Sequence, residues 1–251
     1  NKDITSIVKS VYNTVSKKII FSQKIREAEL SKLIETENNS EVISIQNKAL
    51  ELSLFLSIPA TVALFVASVP ITSALFGYGS FSETSVQNSA LALYYFAFGL
   101  PAFSLIKVFS SFFFARHETK TPFYISLISV LLNVLISISL FQKVGFIIIP
   151  IATSIASWFN AITLYIFSRK KDFFVFNDIF LYRFPRILLS SLIMGLIFYF
   201  LLNLISEKLI YSENLKFIYL LLSTLATLIC YLLVSIFTKA FKLSDIKLKY
   251  K

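Results

Sequence analysis

Six long apolar stretches alternate with shorter polar segments along the chain. A helix needs roughly 20 mostly apolar residues to cross the hydrocarbon core, because no water is present there to satisfy an exposed peptide group. The pattern therefore predicts an all-α integral membrane protein with six transmembrane helices. The predicted spans cover residues 49–76, 88–114, 122–141, 145–167, 186–204 and 215–237.

The basic residues are distributed unevenly between the segments that join these spans. Of the 24 Lys and Arg residues, 20 lie in the terminal segments and in the loops after the second and fourth spans, and two lie in the three other loops. Because positive charge favours the cytoplasmic side, both termini are predicted to be cytoplasmic. The net charge of +10 is then a feature of membrane topology and of contact with anionic lipids, and no nucleic-acid partner is predicted.

The charged segments divide the chain into five parts. Residues 1–48 mix eight basic with six acidic residues, and the spacing of their apolar positions predicts a cytoplasmic amphipathic lead into the first span. The chain begins at Asn1 and its only methionine is Met194, so a fragment of a longer protein is expected. The other parts are four spans in 49–167, a basic cytoplasmic loop at 168–185, two spans in 186–237 and a basic cytoplasmic tail at 238–251.

The chain contains few of the residue types and motifs that are typical of catalytic or metal-binding sites. It contains one cysteine, Cys230, and one histidine, His117, which argues against an intrachain disulfide and against a zinc or iron site. We find no glycine-rich nucleotide loop and no nucleophile elbow. Membrane ATPase and hydrolase interpretations therefore lose their best evidence, and no cofactor is predicted.

Helix-bending residues and one charge lie inside the first two spans. Pro59 lies in the first, and Gly99 and Pro101 lie in the second; these are predicted hinges, with static kinks as the alternative. Lys107 lies seven residues before the end of the second span, at a depth where a charge costs about 3 kcal/mol or more. It is predicted to face a polar cavity, with snorkelling or pairing to a loop carboxylate as the alternative.

The loop at 115–122, Ala-Arg-His-Glu-Thr-Lys-Thr-Pro, is short and dense in charge. Thr121 and Pro122 suit the cap and the first turn of the third span. Arg116 and Lys120 at a membrane mouth could hold a phosphate through charge-assisted hydrogen bonds. They could equally be the positive anchors of a tight cytoplasmic turn, and composition does not decide between the two.

This loop resembles the Ala-Arg-x-Asp-Thr-Lys-Thr-Pro loop of the MurJ (MviN) family, the lipid II flippases of bacterial peptidoglycan synthesis. Glu118 replaces the usual Asp and keeps its charge. The resemblance extends to Asn-Lys-Ala-Leu-Glu-Leu at 47–52, Leu-Phe-Gly-Tyr-Gly-Ser-Phe at 75–81 and Leu-Pro-Ala-Phe at 100–103. The six spans would then be the last six of the family's fourteen.

The resemblance implies part of a multidrug/oligosaccharidyl-lipid/polysaccharide exporter fold. The spans in 49–167 would complete the second of two lobes around a cationic cavity, and those in 186–237 would form a groove for the polyprenyl tail. It also implies alternating access, in which lipid II crosses from the inner to the outer leaflet of the bacterial cytoplasmic membrane without a covalent step. A transporter is therefore expected and not an enzyme, with lipid II, membrane lipids and the missing amino-terminal half as its partners.

Residue roles follow from the same resemblance. Lys107 and Arg116 would bind the pyrophosphate at the cytoplasmic mouth. The gate loop, whose ion pairs would differ between inward and outward states, comprises Glu118, Lys120, Thr121 and Pro122. The tail groove would include Phe198, Leu202, Leu221 and Leu225.

Two other functions are consistent with the sequence. The first is export of another lipid-linked oligosaccharide by the same superfamily, against which the loop at 115–122 and the extra helix pair argue. The second is a non-transporting membrane scaffold, a split or decayed half that only associates with a partner. An adjacent reading frame that encodes the missing eight helices would favour a split flippase.

Overall fold

Six α-helices make up most of the chain in the computed structural model, which describes residue 34, residues 39–211 and residues 215–241. No strand occurs within these ranges, which confirms the all-α class. Short 3-10 helices occur at Gly145–Ile147 and Ser206–Leu209. The α-helices are α1 (Asn39–Phe76), α2 (Glu83–Phe114), α3 (Lys120–Val144), α4 (Ile148–Lys170), α5 (Asp178–Leu204) and α6 (Lys216–Phe237).

The helices have the length and composition of membrane spans. Five continuous helical stretches in the described ranges are long and apolar enough to cross a membrane. The stretch over 120–170 contains both α3 and α4, so each of the six predicted spans corresponds to one α-helix. Asn133 Nδ2 donates to Thr153 Oγ1 (3.3 Å) and Asn160 Nδ2 to Ser126 Oγ (3.4 Å), as expected for polar groups that join two antiparallel helices.

The helices pack in the order α3, α4, α2, α1, α5, α6, and α6 also touches α1. Their connections lie at two opposite ends. We call the end formed by residues 39–48, 115–119, 171–177 and 238–241 the basic end. The end formed by residues 77–82, 145–147 and 205–211 is the turn end.

Two predicted boundaries differ from the structure at the basic end. The helix that contains the first span begins at Asn39, so the last ten residues of the predicted lead at 1–48 continue directly into α1. The rest of that lead lies outside the described residues, except for residue 34, as do residues 242–251 of the predicted tail. The predicted loop at 168–185 is a linker of seven residues, because α5 begins at Asp178 with Asn177 as its N-cap.

The break in α1 lies closer to the turn end than the predicted hinge at Pro59. Ala67 leaves the helical region at φ −116° and ψ 18°. It precedes Pro70 by three residues, where the proline ring removes a backbone donor and crowds the preceding turn. Pro59 lies inside regular helix, so Pro70 bends α1 in this conformation.

The predicted hinge in α2 lies against α4. A Cβ on Gly99 would lie 3.0 Å from Ser154 Oγ, so glycine permits a close approach of the two helices. Ser154 Oγ donates to the carbonyl of Tyr95 (2.7 Å), and Trp158 Nε1 donates to that of Phe98 (2.9 Å). Gly99 and Pro101 are both buried, and a hinge at this site stays a prediction.

Gly195→Ala is expected to lower the free energy of unfolding by about 1–3 kcal/mol, because a Cβ there would overlap Val62 Cγ1 at the α1–α5 contact. The roughly 1 kcal/mol gained in helix propensity offsets part of the steric cost and places the expected loss in the lower part of this range. Unfolding in detergent measures it, and the double variant with Val62→Ala is the control. Equal losses in the single and double variants would contradict a steric cause.

Candidate functional site

Phe174 in the linker at 171–177 is buried at the basic end among aromatic side chains of α2 and α4. The ring of Phe174 stacks on Phe112 at a centroid distance of 5.4 Å and meets Phe109 edge-on at 5.8 Å. Phe176 packs on Phe174 at 4.9 Å and continues into α5 through Phe180 at 5.0 Å. The linker thus joins the ends of α2, α4 and α5.

Polar side chains of α1 hold the same linker. Asn47 Nδ2 donates to the carbonyls of Val175 (2.8 Å) and Ile43 (2.9 Å), and Asn47 Oδ1 accepts from the backbone N–H of Asn177 (3.1 Å). Gln46 Nε2 donates to the carbonyl of Phe173 (3.0 Å). Because Asn177 caps α5, Asn47 also fixes where α5 begins.

A buried ion pair joins α1 to α5 one turn farther along. Arg183 Nη1 lies 2.6 Å from Glu51 Oε1, and the two side chains are 13% and 11% exposed. The pair explains how Arg183, in the predicted loop at 168–185, is accommodated within a helix. Because the pair is so little exposed, removing one of its two charges is expected to be costly.

The gate loop is tied to the end of α4 and not to its own lysine. Glu118 forms an ion pair with Lys171 and accepts a hydrogen bond from Thr121. Lys120 is exposed and makes no hydrogen bond or ion pair with the described residues. Thr121 lies inside the first turn of α3, whose N-cap is Thr119, so the predicted cap lies two residues too late. Pro122 is buried.

Arg116 is folded back onto the protein. Its Nη1 donates to the carbonyl of Phe112 (3.0 Å), and its guanidinium lies over the ring of Phe173, 4.4 Å from the centroid. Burial lowers the pKa of Arg116 from its ordinary value of 12.5, and the group stays charged at neutral pH. Arg116 therefore connects the gate loop to the linker.

The stabilising effect of Glu118 is expected to disappear in acid. Burial raises the pKa of Glu118, but the hydrogen bonds from Lys171 and Thr121 and the charge of Lys171 outweigh it, so the pKa lies below the ordinary 4.5. A carboxyl with a lowered folded pKa stabilises fully above its unfolded pKa and loses this effect as the pH falls through the folded value. The difference in melting temperature between the native chain and Glu118→Gln should hold from pH 7 to 5 and shrink below 4.5. A constant difference down to pH 3 would contradict the lowered pKa.

Lys107 lies on an exposed face of α2. Phe96, Phe103 and Phe114 share this face at helical spacing, and each of them is exposed. Lys107 is exposed too, and it makes no hydrogen bond or ion pair within the described ranges. The face is therefore left uncovered by α1 and α4.

A buried lysine closes the turn end. Lys216 is 1% exposed, and its Nζ donates to the carbonyls of Gly77 and Tyr211, each at 2.7 Å. It lies over the rings of Tyr78 (4.3 Å) and Tyr211 (4.7 Å). Tyr211 Oη in turn donates to the carbonyl of Phe81 (2.6 Å). The α1–α2 turn is thereby fastened to the start of α6.

The four predicted groove residues divide into two pairs. Phe198 and Leu202 are buried and pack with Ala67, Ala74 and Leu220 between α1, α5 and α6. Leu221 and Leu225 are 46% and 48% exposed on α6. Only the second pair presents a surface in this conformation, because the α5 pair faces α1.

Sequence reasoning missed Gln46, Asn47, Glu51 and Lys216. Asn47 and Glu51 belong to the Asn-Lys-Ala-Leu-Glu-Leu segment at 47–52. This segment resembles the family, but the resemblance predicts no role for either residue. Each of them has a partner 127 to 139 residues away in the chain, and no local pattern identifies such a partner. Polar residues next to an apolar span were the one available signal.

Comparisons with known proteins identify the family of this chain. The sequence profile of the family described as lipid II flippase MurJ matches residues 28–220. The probable lipid II flippase MurJ of Rhizobium meliloti (strain 1021) is 38% identical over 173 residues, which are 68% of this chain and 32% of that protein. The corresponding protein of Rickettsia prowazekii (strain Madrid E) is 38% identical over 143 residues, 57% of this chain and 28% of that protein.

A solved structure, lipid II flippase MurJ in an inward closed conformation, matches with a TM-score of 0.65 and 30% identity. The match covers 84% of this chain and 41% of that chain. This chain spans about a third of the length of the curated relatives that it matches. The sequence profile covers more than half of the chain, and the fold agrees with it. The chain therefore belongs to the lipid II flippase MurJ family.

Proposed function

We propose that this chain works as part of a lipid II flippase in the bacterial cytoplasmic membrane. It moves the lipid-linked precursor from the inner to the outer leaflet by alternating access, together with the helices that precede this portion in longer family members. No covalent bond forms, so the residues of this chain bind, orient and release the substrate. Family membership supports the proposal, and the exposed Lys107 within a membrane span is the observation that carries it.

Lys107 is the proposed contact for the pyrophosphate of lipid II. It lies about 10 Å along α2 from Phe114, at 1.5 Å per residue. An exposed ammonium at this depth is costly in lipid and is stabilised in a water-filled cavity. The face that carries Lys107 is left open by α1 and α4, so it is the face available to line a cavity with the remaining helices.

Arg116 and the gate loop act at the mouth of that cavity. Arg116 adds positive potential there while Phe173 and the Phe112 carbonyl hold it in place. The ion pair between Glu118 and Lys171 is partly exposed, and such pairs contribute about 0–1 kcal/mol. It can therefore open and close at small cost during alternating access. Lys120, Thr121 and Pro122 complete the loop.

The polyprenyl tail is proposed to lie on the exposed face of α6, where Leu221 and Leu225 offer apolar surface. Phe198 and Leu202 do not lie on this face; they pack α5 against α1 and so hold the hairpin in place. A tail on this face stays in contact with membrane lipid while the headgroup crosses. Contact with the tail is stabilised by burial of apolar surface, which contributes about 25 cal/mol of free energy per Å² removed from water.

The basic end is proposed to face the cytoplasm. It contains Arg116, Lys120, Lys171 and Lys239, whereas Lys143 and Lys208 lie toward the turn end. Both termini are then cytoplasmic, because α1 begins and α6 ends at the basic end. Lys216 lies at the turn end, where its partners bury it and satisfy its charge.

Lipid II flipping by this chain is tested in vesicles. The chain is co-purified with the amino-terminal helices of a family relative, and the lipid II that reaches the opposite leaflet is measured with a membrane-impermeant reagent. We expect transfer with both parts and none with either part alone. Complete assembly of the two parts without transfer would contradict the proposal.

A further inference from the structure

The α5–α6 hairpin is joined to α1 at three levels. At the basic end, Asn47 and Gln46 hold the linker before α5, and Glu51 pairs with Arg183. Each contact uses a polar side chain of α1 that is buried in this structure. A sliding movement of α5 along α1 would therefore leave several buried polar groups without partners.

The middle level is a close steric contact and one hydrogen bond. Gly195 lets α5 approach Val62 so closely that a Cβ would overlap it. Tyr231 Oη on α6 donates to the carbonyl of Phe55 on α1 (2.8 Å), and the Tyr231 ring lies 5.1 Å from that of Phe55. Both helices of the hairpin thus contact α1 directly.

The turn end adds the third level through Lys216. Its two carbonyl partners belong to the α1–α2 turn and to the linker after the short 3-10 helix, so one ammonium joins the end of α1 to the α5–α6 connection. The charge is 1% exposed. Separation of α6 from α1 would expose this ammonium and leave the Gly77 carbonyl without its donor.

We propose that Asn47, Glu51 and Lys216 are positioning residues that fasten the hairpin to α1, so that α1, α5 and α6 move as one body during transport. The inference rests on the proposed function, because the hairpin carries the face offered to the lipid tail. The gate loop is held by a partly exposed pair, whereas the hairpin is held by buried groups at both ends. The transport cavity therefore opens by movement at the gate loop and not by separation of α1 from the hairpin.

The test is a distance between spin labels on Ser44 of α1 and Phe200 of α5, both of which are exposed. Cys230 is replaced by Ala, and the chain is assembled with the amino-terminal helices of a relative in lipid nanodiscs. From the rise per residue the labels lie roughly 35 Å apart. We expect one narrow distance distribution, unchanged when lipid II is added. A second distance, or a shift of more than about 5 Å (one helical turn), would overturn the proposal.

Variants then test the named residues. Asn47→Leu combined with Lys216→Met should broaden the distribution, because one polar fastening is lost at each end of the hairpin. Asn47→Asp keeps the acceptor for the Asn177 N–H and should stay narrower than Asn47→Leu. An unchanged distribution in the double variant would also overturn the positioning role.

Flipping is measured on the same samples, which separates the two proposals. A fixed distance without any lipid II transfer would contradict the flippase function and leave the fastening intact. Transfer with a distance that changes between states would contradict the fastening alone.

Discussion

Lys107→Met is expected to reduce lipid II flipping by about 10- to 100-fold while the chain still inserts and folds. A hydrogen bond to a charged group contributes about 1.5–3 kcal/mol, which corresponds to that range of rates. Methionine keeps the length of the side chain and removes the charge. Folding should be unaffected, because Lys107 makes no hydrogen bond or ion pair with the described part of the chain.

Two variants control for this effect. Lys107→Arg keeps the charge and should retain most of the activity. Lys143→Met removes an exposed lysine near the end of α3 and should flip at the native rate. Full activity of Lys107→Met, with normal amounts in the membrane, would show that Lys107 does not contact the substrate.

Arg183→Met is expected to lower the free energy of unfolding by about 3–5 kcal/mol. The change removes one charge of the buried ion pair between α1 and α5, and breaking a buried ion pair from one side is costly. The two side chains are 13% and 11% exposed, so water can replace little of the lost interaction. Unfolding in detergent, followed by loss of helical signal, measures the difference.

The exposed pair of the gate loop is the matched control. Lys171→Met removes the partner of Glu118, where the side chains are 38% and 23% exposed, and should cost about 0–1 kcal/mol. Equal losses for Arg183→Met and Lys171→Met would mean that the α1–α5 pair is not protected from water.

The hydrophobic pattern predicted all six helices, because a membrane span must be long and apolar whatever its neighbours are. It placed the start of the first span at residue 49, whereas α1 begins at Asn39. The difference arises because Gln46 and Asn47 bond to the linker before α5, and their partners are distant in sequence. Arg183 and Pro185 likewise lie inside α5, where hydropathy favoured a loop.

The candidate site was predicted in part. The charge of the gate loop is evident from sequence, but the charged partner of Glu118 is Lys171 at the end of α4 and not the loop's own Lys120. Lys216 lies at the edge of the sixth predicted span, 215–237. Its burial depends on the Gly77 and Tyr211 carbonyls, which tertiary packing brings to it.

The residues of the tail groove could also be predicted only in part. Any apolar helix in a membrane protein offers leucines and phenylalanines, and the sequence does not tell which of them face a neighbouring helix. Phe198 packs against α1 whereas Leu221 is exposed, and this difference follows from the contact of α1 with α5.

Complementation in bacteria depleted of their lipid II flippase tests the central claim most directly. This chain is expressed alone and together with the amino-terminal helices of a family relative, and membrane insertion of both parts is verified. Growth and normal cell shape only when both parts are present is the result expected of a carboxy-terminal flippase portion. Failure of the pair to restore growth, with both parts inserted and associated, would contradict it and indicate a non-transporting membrane protein.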